Sequence, residues 1–238
     1  MSFQFKRFEV WDDACAMKVN TDAVLLGTWA NVEQAQRILD IGTGSGVIAL
    51  ILAQRCPNAK VVGIDIDPLS VQQAKENVAR SPFSSIVDVS EADFACFHDT
   101  PFTHIVCNPP YHTETLVSPN HRRSIARHTS ANSLTFATLI SKSYSLLTAS
   151  GSLSLIVPET ARVALSTLAI AEGFVLQRLT RVKTKANKPV KRLLMEWRKE
   201  AQGSMSLPLQ VNQLTLMNDD GKRSASYQQL TQDFYLDT

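Results

Sequence analysis

A chain of 238 residues, 44% hydrophobic and 19% charged, is long enough to bury a full core in one α/β domain and too apolar to stay disordered. Its longest unbroken apolar run, Val47 to Ala53, is far short of a membrane span, and Met1 to Val10 lacks the apolar core of a signal peptide, so a cytoplasmic protein is expected. Cys15, Cys56, Cys96 and Cys107 are widely spaced with no C-x-x-C pair, which excludes a disulfide framework or a zinc site and leaves four buried, reduced thiols as the expectation.

From Arg37 onward, short apolar runs alternate with segments of helical period, the pattern of β-α-β units around a mainly parallel sheet. A strand is predicted over Arg37 to Ile41, then a helix over Val47 to Arg55 that stops before Pro57. The next strand is Lys60 to Asp65. Asp67 reads as an N-cap with Pro68 at the first helical position, and Val71, Ala74 and Val78 share one face of a helix ending near Ser81-Pro82. Strands follow at Ile86 to Ser90 and Thr103 to Cys107, then a polar loop from His112 to Ser133, a helix over Leu134 to Leu147 and a strand over Ser152 to Val157. A helix over Glu159 to Ala171 ends at Gly173. Phe174 to Lys183 and Val190 to Trp197, separated by a polar segment with Lys188-Pro189, suit an antiparallel pair that closes the sheet. The organisation expected is a single domain over 37–238, with 1–36 as an N-terminal segment packing on the first strand's ligand end.

Asp40-Ile41-Gly42-Thr43-Gly44-Ser45-Gly46 falls where a strand turns into a helix, and glycines there let backbone pass close to a ligand. The spacing is G-x-G-x-G, without the wider turn that holds a dinucleotide pyrophosphate, which suits a phosphate-free nucleoside cofactor such as S-adenosylmethionine (SAM). The same glycines would also serve a purely structural turn. Three further features favour the cofactor. Asp65, with Ile66 beside it, ends the second strand about twenty residues on, where a carboxylate accepts from ribose hydroxyls. Asp93 is placed to accept from an adenine amino group with Phe94 against the ring, although an Asp there also caps turns. Upstream, Lys18 and Thr21 offer a cation and a hydroxyl to the methionine carboxylate.

Asn108-Pro109-Pro110-Tyr111 leaves the fourth strand at the carboxyl edge of the sheet, where open α/β sheets bind ligands. Two prolines in succession have fixed φ and no N–H, so the carbonyls of the segment are held in direction. An exocyclic NH₂ on adenine or a carboxamide is a poor nucleophile, because its lone pair is delocalised into the π system. The Asn108 side-chain oxygen and the Pro109 carbonyl can accept its two N–H bonds and turn the lone pair toward a methyl donor. Tyr111 offers a flat face for an extruded base. Cys107, at the end of a buried strand, is not placed as a nucleophile.

The formal net charge of +2 is unevenly distributed. Arg178 to Lys199 carries nine Lys or Arg against Glu196 alone, leaving the remainder net acidic. Such a stretch faces either solvent or a phosphate backbone. Lys183, Lys185 and Lys188, with Arg122, Arg123 and Arg127 of the polar loop, are the candidate phosphate contacts. His112, His121 and His128 match no common metal spacing, and no metal is expected. A monomer without membrane contact is the expected form.

Taken together, these motifs resemble the class I SAM-dependent methyltransferases. Cys15 to Val19, Thr21-Asp22, Leu25 to Gly27, Trp29-Ala30, Asp40 to Arg55, Glu76-Asn77, Ser81 to Phe83, Asn108 to Tyr111, Leu230 to Gln232 and Phe234 to Leu236 resemble the bacterial tRNA1(Val) adenine-37 N6-methyltransferase family in particular. The resemblance implies a Rossmann-like, seven-stranded, mainly parallel sheet with a C-terminal antiparallel pair and helices on both faces. It also implies SAM as methyl donor and an anticodon-loop adenine of tRNA as substrate. By position, Asp65 becomes the ribose ligand, Asp93 the adenine ligand and Asn108 to Tyr111 the clamp. A release-factor glutamine N5-methyltransferase and a ribosomal-RNA guanine N2-methyltransferase would use the same clamp. A non-catalytic SAM- or RNA-binding protein would have no need of it.

Overall fold

A computed structural model describes residues 2–109, 134–200 and 208–236. Its centre is an eight-stranded sheet in the order β10-β8-β9-β7-β6-β3-β4-β5. These strands are β3 (Arg37–Ile41), β4 (Lys60–Asp65), β5 (Val87–Glu91), β6 (Phe102–Cys107), β7 (Leu147–Pro158), β8 (Phe174–Lys183), β9 (Val190–Lys199) and β10 (Gln210–Thr215). All are mutually parallel except β9, which pairs antiparallel with both β7 and β8. Seven of them, β3 to β9, are the strands expected. The eighth, β10, continues the sheet beyond the antiparallel pair.

The helices are α1 (Thr21–Trp29), α2 (Val47–Arg55), α3 (Pro68–Arg80), α4 (Phe136–Leu146), α5 (Arg162–Glu172) and α6 (Ala225–Thr231), with one 3₁₀ turn at Glu159–Ala161. The strands' period of two divides their side chains between two cores. Ile38, Val106, Ile156 and Leu194 join residues of α1, α2, α3 and α6 on one face. Leu39, Ile105, Leu155 and Met195 join Leu139 and Ile140 of α4 and Leu165 and Ala169 of α5 on the other. Helices on both faces are what a parallel sheet requires, since neither face can meet water.

The N-terminal segment holds structure that periodicity does not disclose. β1 (Ser2–Gln4) and β2 (Glu9–Trp11) form a small antiparallel pair, and Phe5 bridges to Tyr235, joining the two ends of the chain. In α1, every residue from Ala23 to Trp29 is buried, so there is no polar face to mark a helical period. β7 begins at Leu147, five residues earlier than expected, and runs straight on from α4. Of the cysteines, Cys15, Cys56 and Cys107 are buried, but Cys96 is exposed in the turn after β5, contrary to the expectation of four buried thiols. An isolated Cys in a short loop carries no periodic signal from which its burial could be read.

Topology fixes where the chemistry lies. The chain runs from β3 to β4 to β5 on one side, then returns to place β6 on the other side of β3. Ile41 and Cys107 are Cα partners at the carboxyl ends of β3 and β6, so the glycine turn and Asn108 leave the sheet side by side. This is the switch point at which an open α/β sheet forms its crevice.

Candidate active site

The turn after β3 is built by positive φ at Gly42 (68°), Gly44 (55°) and Gly46 (81°), a region that side chains with a Cβ rarely enter. The N–H groups of Gly42 and Thr43 both donate to the Ile64 carbonyl, at 2.9 Å, tying the turn to the end of β4. Asp65 completes the tie, accepting from Gly44 N–H at 2.9 Å through Oδ2 and from Asp67 N–H at 3.0 Å through Oδ1. Each carboxylate oxygen keeps a lone pair for a further donor. Among the described residues a Cβ on Gly42 would meet nothing within 4 Å, so they leave the space above the turn open.

Beneath the turn, Asp40 is fully buried. Thr43 Oγ1 donates to its Oδ2 at 2.7 Å, while among the described residues Oδ1 has no hydrogen-bond partner. Burial pushes the Asp40 carboxyl up from 3.8 to about 7, against the lowering effects of the Thr43 hydroxyl and of the nearby Ala49 backbone N–H. A buried acceptor oxygen without a donor beside an open, glycine-lined turn is an incomplete polar site. Cys107, at the end of β6, packs with Leu39, Ile41 and Ile105 on the other face of the sheet. Its thiol is raised well above 9 by burial and by the charges of Asp40 and Asp65, so it stays protonated and unreactive.

Two supporting residues escaped the sequence reading. A Cβ on Gly63 would lie 2.8 Å from Thr43 Oγ1, so only glycine in β4 leaves Thr43 its place over Asp40. A glycine inside a strand is the signal for such an approach. Asn77 on α3 is fully buried and donates to the carbonyls of Ser45 (2.8 Å) and Trp11 (2.7 Å), while accepting from Trp11 N–H at 2.9 Å. It fastens β2 and the glycine turn to one helix. Glu76-Asn77 is one of the pairs that carry the family resemblance, but helical period alone does not show that Asn77 is buried.

The remaining candidates fall as follows. Ile66 is 43% exposed at the mouth of the crevice. Asp93 is exposed after β5 and accepts from Ala95 N–H at 2.9 Å, the turn-capping alternative, with its carboxylate on the same edge as Asp65. Phe94 is buried among Leu39, Ile64 and Phe102, so most of its ring is spent on the core. The Lys18 ammonium donates to the carbonyls of Asp12 (2.6 Å) and Asp13 (3.2 Å), and Thr21 is exposed at the first position of α1. Asn108 is half-buried and Pro109 buried. Pro110, Tyr111, Arg122, Arg123, Arg127 and the three loop histidines lie outside the described residues.

The basic stretch divides. Arg178 pairs with the buried Glu196 (3.3 Å) and stacks 4.2 Å over the Trp29 ring, and Arg192 pairs with Asp22 at 2.7 Å. Lys199 donates to the carbonyls of Tyr144 and Leu147. Glu196 also accepts from Ser154, which bonds His104, and burial lowers that imidazole to about 3. These cations hold the sheet to α1 and α4. Lys183, Lys185 and Lys188 are not among them.

Residues 15–174 match the family model described as the methyltransferase small domain. Over 237 residues the chain is 41% identical to a protein of Bacteroides thetaiotaomicron named tRNA1(Val) (adenine(37)-N6)-methyltransferase, covering 98% of this chain and 97% of that one. This chain belongs to that family. A Vibrio campbellii relative of the same name is 37% identical, with 98% and 95% covered. A predicted O-methyltransferase from Agrobacterium tumefaciens shares the fold, with a TM-score of 0.69 at 19% identity over 90% of this chain and 96% of that one. As a class I methyltransferase the enzyme uses SAM. The turn and its surroundings fit that cofactor: open space above Gly42, an unpartnered Asp40 oxygen, and acidic groups facing a cationic ligand. Along the edge, β5, β4, β3 and β6 present Asp93, Asp65, the glycine turn and Asn108 in one row.

Proposed function

We propose that this enzyme methylates N6 of an adenine in tRNA, adenine 37 of tRNA1(Val), acting in the cytoplasm as a monomer. The observation that carries the reading is the placement of Asn108-Pro109 beside the glycine turn, within a chain about 40% identical end to end to relatives named for that reaction. SAM, when bound, supplies an electrophilic methyl group on its sulfonium. Asp65 would hold the ribose and Asp93 the adenine, with Ile66 and the rim of Phe94 against the ring. Gly42 to Gly46, Asp40, Lys18 and Thr21 would surround the methionine portion, with residues 1–36 as a segment packing on the cofactor site of the 37–238 domain.

Asn108 and Pro109 perform the decisive step. The Asn108 side-chain oxygen and the Pro109 carbonyl accept the two N–H bonds of the target amine, which pulls its nitrogen toward pyramidal geometry. That alignment would aim the lone pair at the methyl group that SAM supplies when bound. No covalent enzyme adduct is required, and Cys107, kept as a thiol, takes no part. Pro110 and Tyr111 lie outside the described residues; in this reading they would complete the clamp, the tyrosine ring serving the extruded base. The methylated nitrogen becomes cationic and sheds its proton readily, so no strong base is needed. The test is which macromolecule receives label from methyl-labelled SAM. Transfer to unmodified tRNA is expected, and transfer to release factor with tRNA inert would overturn the substrate.

A further inference from the structure

We infer that two adjoining turns at the far end of the catalytic edge, 184–189 and 216–223, form a phosphate grip for the RNA that flanks the target nucleotide. The inference rests on the tRNA reading above. β8 and β10 end together, Lys183 and Thr215 being Cα partners. Their pairing continues past both strands, because Leu216 N–H donates to the Lys183 carbonyl and Met217 N–H to the Thr184 carbonyl, each at 2.9 Å. The second turn closes through Asn218 N–H to the Lys222 carbonyl at 2.8 Å. Lys185 Nζ reaches across to the Asp219 carbonyl at 3.2 Å and stitches the turns into one surface.

Lys188, Lys191 and Lys222 are exposed on this surface and Lys185 is half-buried. Among the described residues none of the four ammonium groups is paired with a carboxylate. Asp219 and Asp220 share the second turn, but Asp220 Oδ1 is turned onto the Lys222 backbone N–H at 2.9 Å. The contrast with Arg178, Arg192 and Lys199, each held by a structural partner, marks Lys188, Lys191 and Lys222 as cations the fold does not use, while Lys185 holds the two turns together and adds its charge between them. In the first turn Thr184, Ala186, Asn187 and Pro189 lie among the lysines, with no aromatic or large apolar side chain to anchor a protein partner, and in the second turn Leu216 and Met217 are half-buried. Ammonium groups at the surface without such an anchor suit a diffuse line of phosphates.

Because β9 is antiparallel to its neighbours, the turn it shares with β8 opens on the same edge as Asn108. β8 is three strands from β6, a lateral distance of about 15 Å at sheet spacing. At that distance the lysines meet backbone away from the target base. They govern capture of the RNA and leave the transfer step alone.

The test uses the full chain with SAM and tRNA, comparing wild type with K185Q/K188Q/K191Q/K222Q and with the control K60Q/K75Q, after thermal melts show both variants folded. The quadruple variant is expected to raise KM for tRNA about tenfold at physiological salt and to make the log–log salt dependence shallower by up to about 0.7 per lost contact. Its kcat and SAM affinity stay as in wild type, and the control leaves all of these unchanged. An unchanged KM and salt slope, an equal loss in the control, or a fall in kcat with KM constant would each overturn the grip. If wild type itself methylates release factor and not tRNA, the substrate reading fails instead. That outcome is distinguishable, because it appears without any variant.

Discussion

One edge of one sheet is built in two ways. Around β3, β4 and β6 the polar groups are held by buried or half-buried contacts: Asp65 on Gly44, Thr43 on Asp40, Asn77 on Ser45. At the ends of β8 and β10 the turns carry lysines whose charges face solvent. Transfer of a methyl group needs atoms placed to a fraction of an ångström, which only packed surroundings supply, whereas capture of a polyanion needs charge that is accessible. The same strand ends therefore serve positioning on one side and attraction on the other, and substitutions in the two halves should fail differently.

The largest effect is expected in the packed half. Asn108→Ala removes one of the two acceptors and should lower kcat about 100- to 1,000-fold while SAM affinity by calorimetry changes less than about threefold. A matching loss of SAM binding would show that Asn108 holds the cofactor more than it aligns the amine. Next comes Gly63→Ala, whose Cβ would press on Thr43 Oγ1 at 2.8 Å. It should cost about 1–3 kcal/mol of stability in a thermal or denaturant melt and weaken SAM binding about tenfold. Unaltered SAM affinity would separate the Thr43–Asp40 pair from the cofactor.

The smallest effect concerns pH. Asp40, raised from 3.8 to about 7 by burial, binds its proton more tightly folded than unfolded. Its contribution to stability is therefore complete below about pH 4 and lost as pH rises through 7. Cofactor-free wild type should lose on the order of 2 kcal/mol between pH 5 and pH 8 relative to Asp40→Asn. Parallel stability curves for the two proteins would show that Asp40 is ionised throughout.

Much of this edge was legible in sequence, for identifiable reasons. Strand-to-helix punctuation placed β3 and α2 to the residue, since Gly46 and the proline after Cys56 are unambiguous stops. The Asp67 cap and Pro68 did the same for α3. Asp40, Asp65 and Asn108 could be picked out because each sits where a buried strand ends. What escaped was whatever lacks a period or depends on distant partners. α1 is buried almost all round and β10 is a largely exposed edge strand, so neither alternates cleanly. Asn77 earns its role from Trp11 and Ser45, far away in sequence. The charge count of Arg178 to Lys199 was correct, but it mixed cations that clamp the fold with cations that face solvent, and only the pairing with Glu196 and Asp22 separates them.

The central claim, that Asn108 and Pro109 present an adenine amine of tRNA to SAM, is tested most directly by the nucleosides themselves. Unmodified tRNA is incubated with SAM and the enzyme, digested completely and resolved by mass spectrometry. The account predicts N6-methyladenosine with wild type and, at equal enzyme and time, about 100- to 1,000-fold slower formation with Asn108→Ala. Methyl groups found on guanine, or tRNA left unmodified while a release-factor glutamine is methylated, would contradict it.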